Sequence, residues 1–264
     1  MRLQKYVIKS NPLTLVTIGD IHWGNNNVDK KMLNNVIKYV KEHRCYWVGM
    51  GDYGDAIIPD DRRFNLDTID TEYNTPKAQY KAIKELFRPI ADKCLGLADG
   101  NHDYLHWIKH QHNYVEELAE DLSVPYLQID CFLRFFFKRY NTNFDVYAHH
   151  GWTGARTKGG KINRIYDLEQ IFPMCNLYVM GHMHDLGLTD KKINLWVDDD
   201  MKIRDKISYF LFSGSFLKGY VADQISYVEE KTYRPSVLGS PVLSITPKKG
   251  KGTVNFNIKY EEVR

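Results

Sequence analysis

The chain has no run near the roughly 18 unbroken apolar residues that a membrane-spanning helix needs, and its start, Met1 to Pro12, carries no apolar stretch of the secretory-signal kind. A cytoplasmic protein with no membrane contact is therefore expected. Cysteine is scarce and scattered: Cys45, Cys94, Cys131 and Cys175 form no Cys-x-x-Cys pair. That excludes a locally built zinc knuckle or thioredoxin-type motif and leaves buried thiols. There is no linker rich in glycine or serine, no low-complexity tract and no internal repeat, so residues 1–264 are read as one domain. Nor does one sign of charge dominate: a net charge of +3 neither demands nor excludes a polyanionic partner. With 43% apolar and 26% charged residues, global disorder and a fibrous architecture are excluded, and a chain of this length can bury a sizeable core.

What is present is a series of apolar, β-prone runs that each stop at a polar block. Leu13 to Ile18 ends in Gly19-Asp20, and Cys45 to Val48 ends in Gly49-Met50-Gly51-Asp52. Between them Leu33, Val36, Ile37 and Val40 recur at helical spacing after Asp29, which predicts a right-handed β-α-β unit with both carboxylates on one sheet edge. Thr75-Pro76 opens a second helix with Tyr80, Ile83, Phe87 and Ile90 on its inner stripe, and Cys94 to Ala98 is a third strand. The polar stretch Asn65 to Asn74 reads as a surface excursion. From Pro125 onward the texture changes. Cys131 to Lys138 and Phe144 to His149 read as a hairpin that begins a second sheet, and Asn163 to Phe172 as a helix. Leu177 to Met180, Ile207 to Phe212, Val242 to Ile245 and Thr253 to Lys259 are further strands.

The blocks at the strand ends carry the chemistry. They are Gly19-Asp20-Ile21-His22, Gly51-Asp52-Tyr53-Gly54-Asp55, Gly100-Asn101-His102-Asp103, His149-His150-Gly151 and Gly181-His182-Met183-His184, and they hold six of the ten histidines. Ligands of an open α/β sheet bind beyond the carboxyl ends of its strands, so these loops are expected to converge. Carboxylate and imidazole donors without thiolate suit Mn²⁺, Fe or Zn²⁺, and so many of them exceed the needs of one ion. Two ions are expected.

These five blocks, in this order, resemble the signature of the calcineurin-like metallophosphoesterase superfamily: Asp-x-His, Gly-Asp-x-x-Asp, Gly-Asn-His-Asp/Glu, His-Gly and Gly-His-x-His. The resemblance spans about residues 13 to 185. It implies an α/β fold, a four-layer α/β/β/α sandwich of two mixed sheets, with the C-terminal strands completing the second sheet. Carried over position by position, it implies that Asp20, His22 and His184 hold one metal, that Asn101, His150 and His182 hold the other, and that Asp52 bridges. It favours His150, which directly precedes glycine, while the doublet leaves His149 open. Two close cations lower the pKa of a shared water and clamp phosphoryl oxygens, so the nucleophile needs no side chain. Family analogy makes His102 the general acid or charge stabiliser at the leaving group, with Asp55 orienting its imidazole. Manganese is the favoured metal, with Fe, Zn and Ni as alternatives.

The glycine-rich basic segment Gly151 to Lys161 offers Arg156, Lys158 and Lys161, with Arg164 one turn on, as a substrate phosphate site. Against that stands the plainer reading of a solvated loop. His106 and His110, spaced as on one helix face, are read with His112 as a solvated face, because no further ligand is placed beside them. Trp23, Trp107 and Trp152 are read as packing rather than base-stacking residues. Gly214 to Leu217 is placed near the site, and Asp198-Asp199-Asp200 is an exposed turn.

Within the superfamily, protein phosphatases carry Arg-Gly where this chain has Ala56-Ile57, and purple acid phosphatases carry tyrosine where Asp55 stands. That leaves the phosphodiesterase and nuclease branch, including little-characterised phage and bacterial phosphoesterases. The expected substrate is a phosphodiester in DNA, RNA or a nucleotide. A phosphomonoesterase, acting on protein or a small molecule, and a non-catalytic nucleic-acid-binding module are the alternatives.

Overall fold

The computed structural model describes residues 1–59, 61, 63–152, 154–250 and 254–264. After a first strand β1 (Arg2–Ile8), β2 (Leu13–Ile18) runs up to the first polar block. Helix α1 (Lys30–His43) follows. Asp29 caps it by accepting from the Met32 N–H, and Leu33, Val36, Ile37 and Val40 form its buried stripe. β3 (Tyr46–Gly49) pairs parallel to β2, completing the expected β-α-β unit. α2 (Pro76–Phe87) starts at the Thr75 cap with proline in its first turn. It leads through a 3₁₀ turn, which carries Ile90, into β4 (Cys94–Ala98). The excursion from Asn65 to Asn74 holds two short 3₁₀ turns.

α3 (Asn101–His110), α4 (Tyr114–Leu122) and the short β5 (Tyr126–Gln128) come next, then the hairpin β6 (Asp130–Phe137) and β7 (Thr142–His149). α5 (Lys158–Ile171) and β8 (Leu177–Met180) follow. The long hairpin β9 (Leu186–Val197) and β10 (Ile203–Ser213) and the terminal pair β11 (Ser240–Lys249) and β12 (Val254–Val263) complete the fold.

Two six-stranded mixed sheets result, in the orders β12-β11-β2-β3-β4-β5 and β1-β6-β7-β8-β10-β9. Leu13, Leu15, Val48 and Met50 of the first pack on Leu133, Phe135, Val146 and Val179 of the second. The alternate residues of β2, Val16 and Ile18, point outward under α1, α2 and α4 with Trp47, Leu33 and Phe87. On the far side Tyr147, Tyr178 and Phe210 receive Ile165 and Leu168 of α5. The architecture is the expected α/β/β/α sandwich. Among the described residues no helix is long and apolar enough to cross a membrane.

Several details differ from the sequence reading, the unexpected α4 and β5 among them. The terminal strands β11 and β12 join the first sheet, not the second, because β11 pairs antiparallel with β2, Val242 opposite Val16, and drives Leu243 and Ile245 between the sheets. The apolar alternation that marks such a strand is the same whichever sheet receives it. The helix expected from Asn163 begins at Lys158, so the second half of the basic segment is its first turn, with Thr157 Oγ1 accepting from the Gly160 N–H at 3.1 Å. Strands β1 and β9 went unforeseen although they carry Leu3 and Val7 and Ile193, Leu195 and Val197: these side chains are exposed, and charged residues interrupt both runs. Thr153, within the basic segment, and Thr253, the expected start of the last strand, lie outside the described residues.

Candidate metal centre and active site

The five blocks meet at the carboxyl ends of β2, β3, β4, β7 and β8. Backbone bonds tie the first two loops together: the Asp20 N–H donates to Gly51 O, and the Ile21 and His22 N–H groups both donate to Asp52 O. Asp20, His22, Asp52, His182 and His184 all sit at positive φ, between 48° and 61°. Non-glycine residues avoid this region at a cost of about 1 kcal/mol or more each, and such strain persists only where surrounding bonds dictate it. Here it aims five side chains inward.

The ligand atoms fall into two separate clusters and a third group that overlaps the first. In one cluster, Asp20, His22 and His184 bring donor atoms within 4.8 Å of one another; in the other, Asp52, His150 and His182 do so, while His22, Asp55 and His102 form the overlapping group. His22 Nε2 faces His184 Nε2 at 3.2 Å, and His184 Nε2 lies 3.4 Å from Asp20 Oδ1. A single atom, Asp52 Oδ2, stands 3.3 Å from His150 Nε2 in one cluster and 3.9 Å from His22 Nε2 in the other. Asn101 adds a fourth group to the second cluster. One end of its amide lies 2.7 Å from His182 Nδ1 and 3.2 Å from both His150 Nε2 and Asp52 Oδ2. Turned with nitrogen inward, that amide hydrogen-bonds to these groups; turned with oxygen inward, it joins them as a fourth oxygen or nitrogen donor facing one point, which imidazole protons or a cation reconcile. The donor set therefore fits divalent metal.

Charge balance within the pocket points the same way. Burial alone would raise Asp52, yet the imidazoles of His150, His102 and His22 hold its carboxyl well below the usual range. Burial would lower His150, yet Asp52 and Asp20 push it up to about 10. His182, with burial and its neighbour His150 against protonation, is shifted down. The buried carboxylates thus require positive charge beside them, from protons or from metal.

Supporting residues fix each ligand. His150 Nδ1 meets Met50 O at 2.6 Å, which leaves Nε2 to face Asp52. The His182 N–H donates to both Asp20 oxygens, while the Ser215 hydroxyl and the Phe216 N–H donate to Asp20 O, so the Gly214 to Leu217 turn braces this loop. Asp103, buried and pushed up to about 7 by that burial and by Asp52, accepts from the Asp52 and Gly100 N–H groups and the Tyr80 hydroxyl. Gly100 must lack a side chain: a Cβ there would lie 2.0 Å from Asp52 Oδ1 and 2.2 Å from Asp52 N. Gly100→Ala is expected to lower stability by about 3 kcal/mol, measured by urea denaturation. An unchanged midpoint would contradict this packing.

His102 lies at the edge of the clusters. Its N–H donates to Asp52 Oδ1 at 2.8 Å and its Nδ1 meets the backbone carbonyl of Asp55 at 2.6 Å. The Asp55 carboxylate is 3.8 Å from His102 Nδ1 and nearer, 3.3 Å, to His22 Nδ1, though without hydrogen-bond alignment. Asp55 thus reaches His102 through its main chain, and its carboxylate stands between the two rings. Burial, with His22 and Arg63 nearby, lowers His102 to about 4 against the pull of Asp52, and the contact with the Asp55 carbonyl places the ring hydrogen on Nδ1, which leaves the lone pair on Nε2. Arg63 Nη1 donates to that Nε2 at 2.7 Å. Arg63 belongs to no motif, and no sequence signal marked it.

No protein-family model matches the chain, and no curated protein matches its sequence. Among solved structures it is similar to Vacuolar Protein Sorting 29 from Cryptosporidium parvum, at 12% identity and a TM-score of 0.41 over 96% of this chain and 100% of that one. It is also similar to GAP50, the anchor in the inner membrane complex of Plasmodium, at 12% identity and 0.37 over 97% and 86%. At these scores the functional reading rests on the chain's own geometry.

The remaining candidates divide. His149 lies outside the clusters: its Nδ1 accepts from the Gly151 N–H at 2.7 Å and its ring faces Trp152. Lys161 is tied to the histidine loop, donating to Met183 O at 2.8 Å and pairing with Asp185 at 3.0 Å, so it anchors that loop to α5. Arg156 lies over the Tyr233 ring and Arg164 pairs with Asp167, while Lys158 opens α5 at the surface. Trp23 is buried core; Trp107 and Trp152 are exposed. His106, His110 and His112 cluster with Tyr114 and are not among the groups arranged to hold metal in the described residues.

Proposed function

We propose that this protein belongs to the calcineurin-like metallophosphoesterases and hydrolyses a phosphodiester, in a nucleotide or nucleic acid, with two divalent cations, manganese foremost. The observation that carries the reading is Asp52 Oδ2, one carboxylate oxygen facing two His/Asp clusters at once. Asp20, His22 and His184 would hold one ion, Asn101, His150 and His182 the other, and Asp52 would serve both. When bound, the pair supplies the positive charge that activates a water and neutralises phosphoryl oxygens.

The chain's own residues do the rest. Positive-φ backbone and buried hydrogen bonds pre-set the ligands, so little reorganisation is needed at the moment of reaction. His102 Nδ1 is bonded to Asp55 O and its Nε2 accepts from Arg63, so it bears on the leaving group through that guanidinium, as a charge stabiliser. Arg156 and Lys158 meet substrate phosphate at the rim. Of the four basic residues that could extend a nucleic-acid track, Arg134, Arg139, Lys191 and Lys192, two are paired with carboxylates, Arg134 with Asp145 and Lys192 with Glu169.

The test is a turnover screen of chelator-stripped protein reloaded with Mn²⁺, Zn²⁺ or Mg²⁺. The substrates are bis-p-nitrophenyl phosphate, p-nitrophenyl phosphate and single- and double-stranded DNA, with Asp52→Ala as blank. Diester cleavage in Mn²⁺ that the variant lacks is expected. Preference for the monoester would move the assignment to a phosphatase, and silence in every metal despite bound ions would favour a binding module.

A further inference from the structure

Arg63 stands out among the residues that the motif signature does not include. Its Nε and Nη2 grip the two Asp61 oxygens at 3.0 and 2.8 Å, and Nη1 donates to His102 Nε2 at 2.7 Å. A guanidinium has five N–H groups, so two remain, one on each terminal nitrogen. The side chain is largely buried at the edge of a shallow pocket lined by Asp61, His102, His106, Lys109 and His110. A guanidinium meets an imidazole nitrogen at this distance only when that nitrogen carries its lone pair. The bond from His102 Nδ1 to Asp55 O enforces that tautomer. His102 in turn packs edge-on against His22, ring centroids 4.6 Å apart, so the guanidinium lies one imidazole away from the first cluster.

We propose that Arg63 is a substrate-contacting residue, held by Asp61 and His102 so that its remaining N–H groups bind the non-bridging oxygens of the phosphoryl group. This rests on the phosphoesterase reading. An arginine suits the role because its planar fork keeps its charge and geometry while bonded on two sides, which lysine cannot do. Asp61 is then a positioning residue. It restrains the guanidinium without touching the reacting atoms.

The experiment compares wild type, Arg63→Ala, Arg63→Lys and Asp61→Asn, each with and without Mn²⁺. It reads inorganic-phosphate affinity by calorimetry, metal content, and kinetics on bis-p-nitrophenyl phosphate. Arg63→Ala is expected to keep wild-type metal, to bind phosphate about tenfold more weakly, and to lose about 10²-fold in kcat/KM. Millimolar guanidinium chloride is expected to restore part of that loss. Arg63→Lys should recover little, and Asp61→Asn should weaken phosphate binding less than Arg63→Ala does. Unchanged phosphate affinity in a folded, metal-bound Arg63→Ala, or a loss of activity with no guanidinium rescue, overturns the proposal and leaves Arg63 as a lock on its own loop. If Arg63→Ala does not fold, Arg63→Lys and Asp61→Asn decide by the same phosphate readout. Absence of turnover in wild type defeats the phosphoesterase reading separately, since phosphate affinity still decides the role of Arg63.

Discussion

Asp52→Ala is expected to release both divalent ions and to reduce turnover to background, whereas His102→Ala keeps both ions and loses about 10²–10⁴-fold in kcat. The contrast follows from what each side chain touches. Asp52 Oδ2 faces both clusters, so its removal opens both at once and leaves His150 without the carboxylate that faces it. His102 meets the centre through its backbone, since its N–H donates to Asp52 Oδ1, and alanine keeps that bond. Metal content by plasma emission spectroscopy beside diester kinetics checks the pair. Equal metal loss in the two variants would contradict the assignment of Asp52 as the bridge and of His102 as a group acting on substrate.

Metal removal has the second large effect. Ligand that binds only the folded state stabilises it by mass action, about 4 kcal/mol when free metal is 1,000 times Kd. For a chain of this size that corresponds to a rise of about 10 °C in Tm. Reloading chelator-treated protein with Mn²⁺ is expected to produce this rise in wild type and none in Asp52→Ala. The physical reason is the buried charge. Asp20 and Asp52 are wholly enclosed, and without metal they depend on protonated imidazole for compensation. An equal shift in the variant would mean that the ion binds elsewhere.

Much of the scaffold was legible because its signals are local. The Asp29 and Thr75 caps, the stripe Leu33, Val36, Ile37 and Val40, and the strands at Leu13, Cys94 and Leu177 arise from side chains within a few residues of one another. Strands β1 and β9 were not legible. Their pairing is set by main-chain bonds to distant partners, β6 and β10, while most of their apolar side chains stay exposed and mark no core face. The start of α5 was hidden for a similar reason: Gly159 and Gly160 disfavour a helix, and the Thr157 cap and the Lys161 tether to the histidine loop offset them.

The sequence by itself determined which residue types stand at the strand ends, and hence that oxygen and nitrogen donors in numbers sufficient for two ions gather on one sheet edge. Donor chemistry is a property of each side chain, and the strand-to-loop punctuation that places it is local. The tertiary structure decided which of those donors face each other. It turned His150 inward and His149 toward Trp152, put one Asp52 oxygen between two clusters, and moved the Asp55 carboxylate beside His22. It sent the terminal strands to the first sheet, and it brought Arg63 onto His102. These outcomes depend on backbone dihedrals and on contacts between residues far apart in the chain, which no spacing along the sequence encodes.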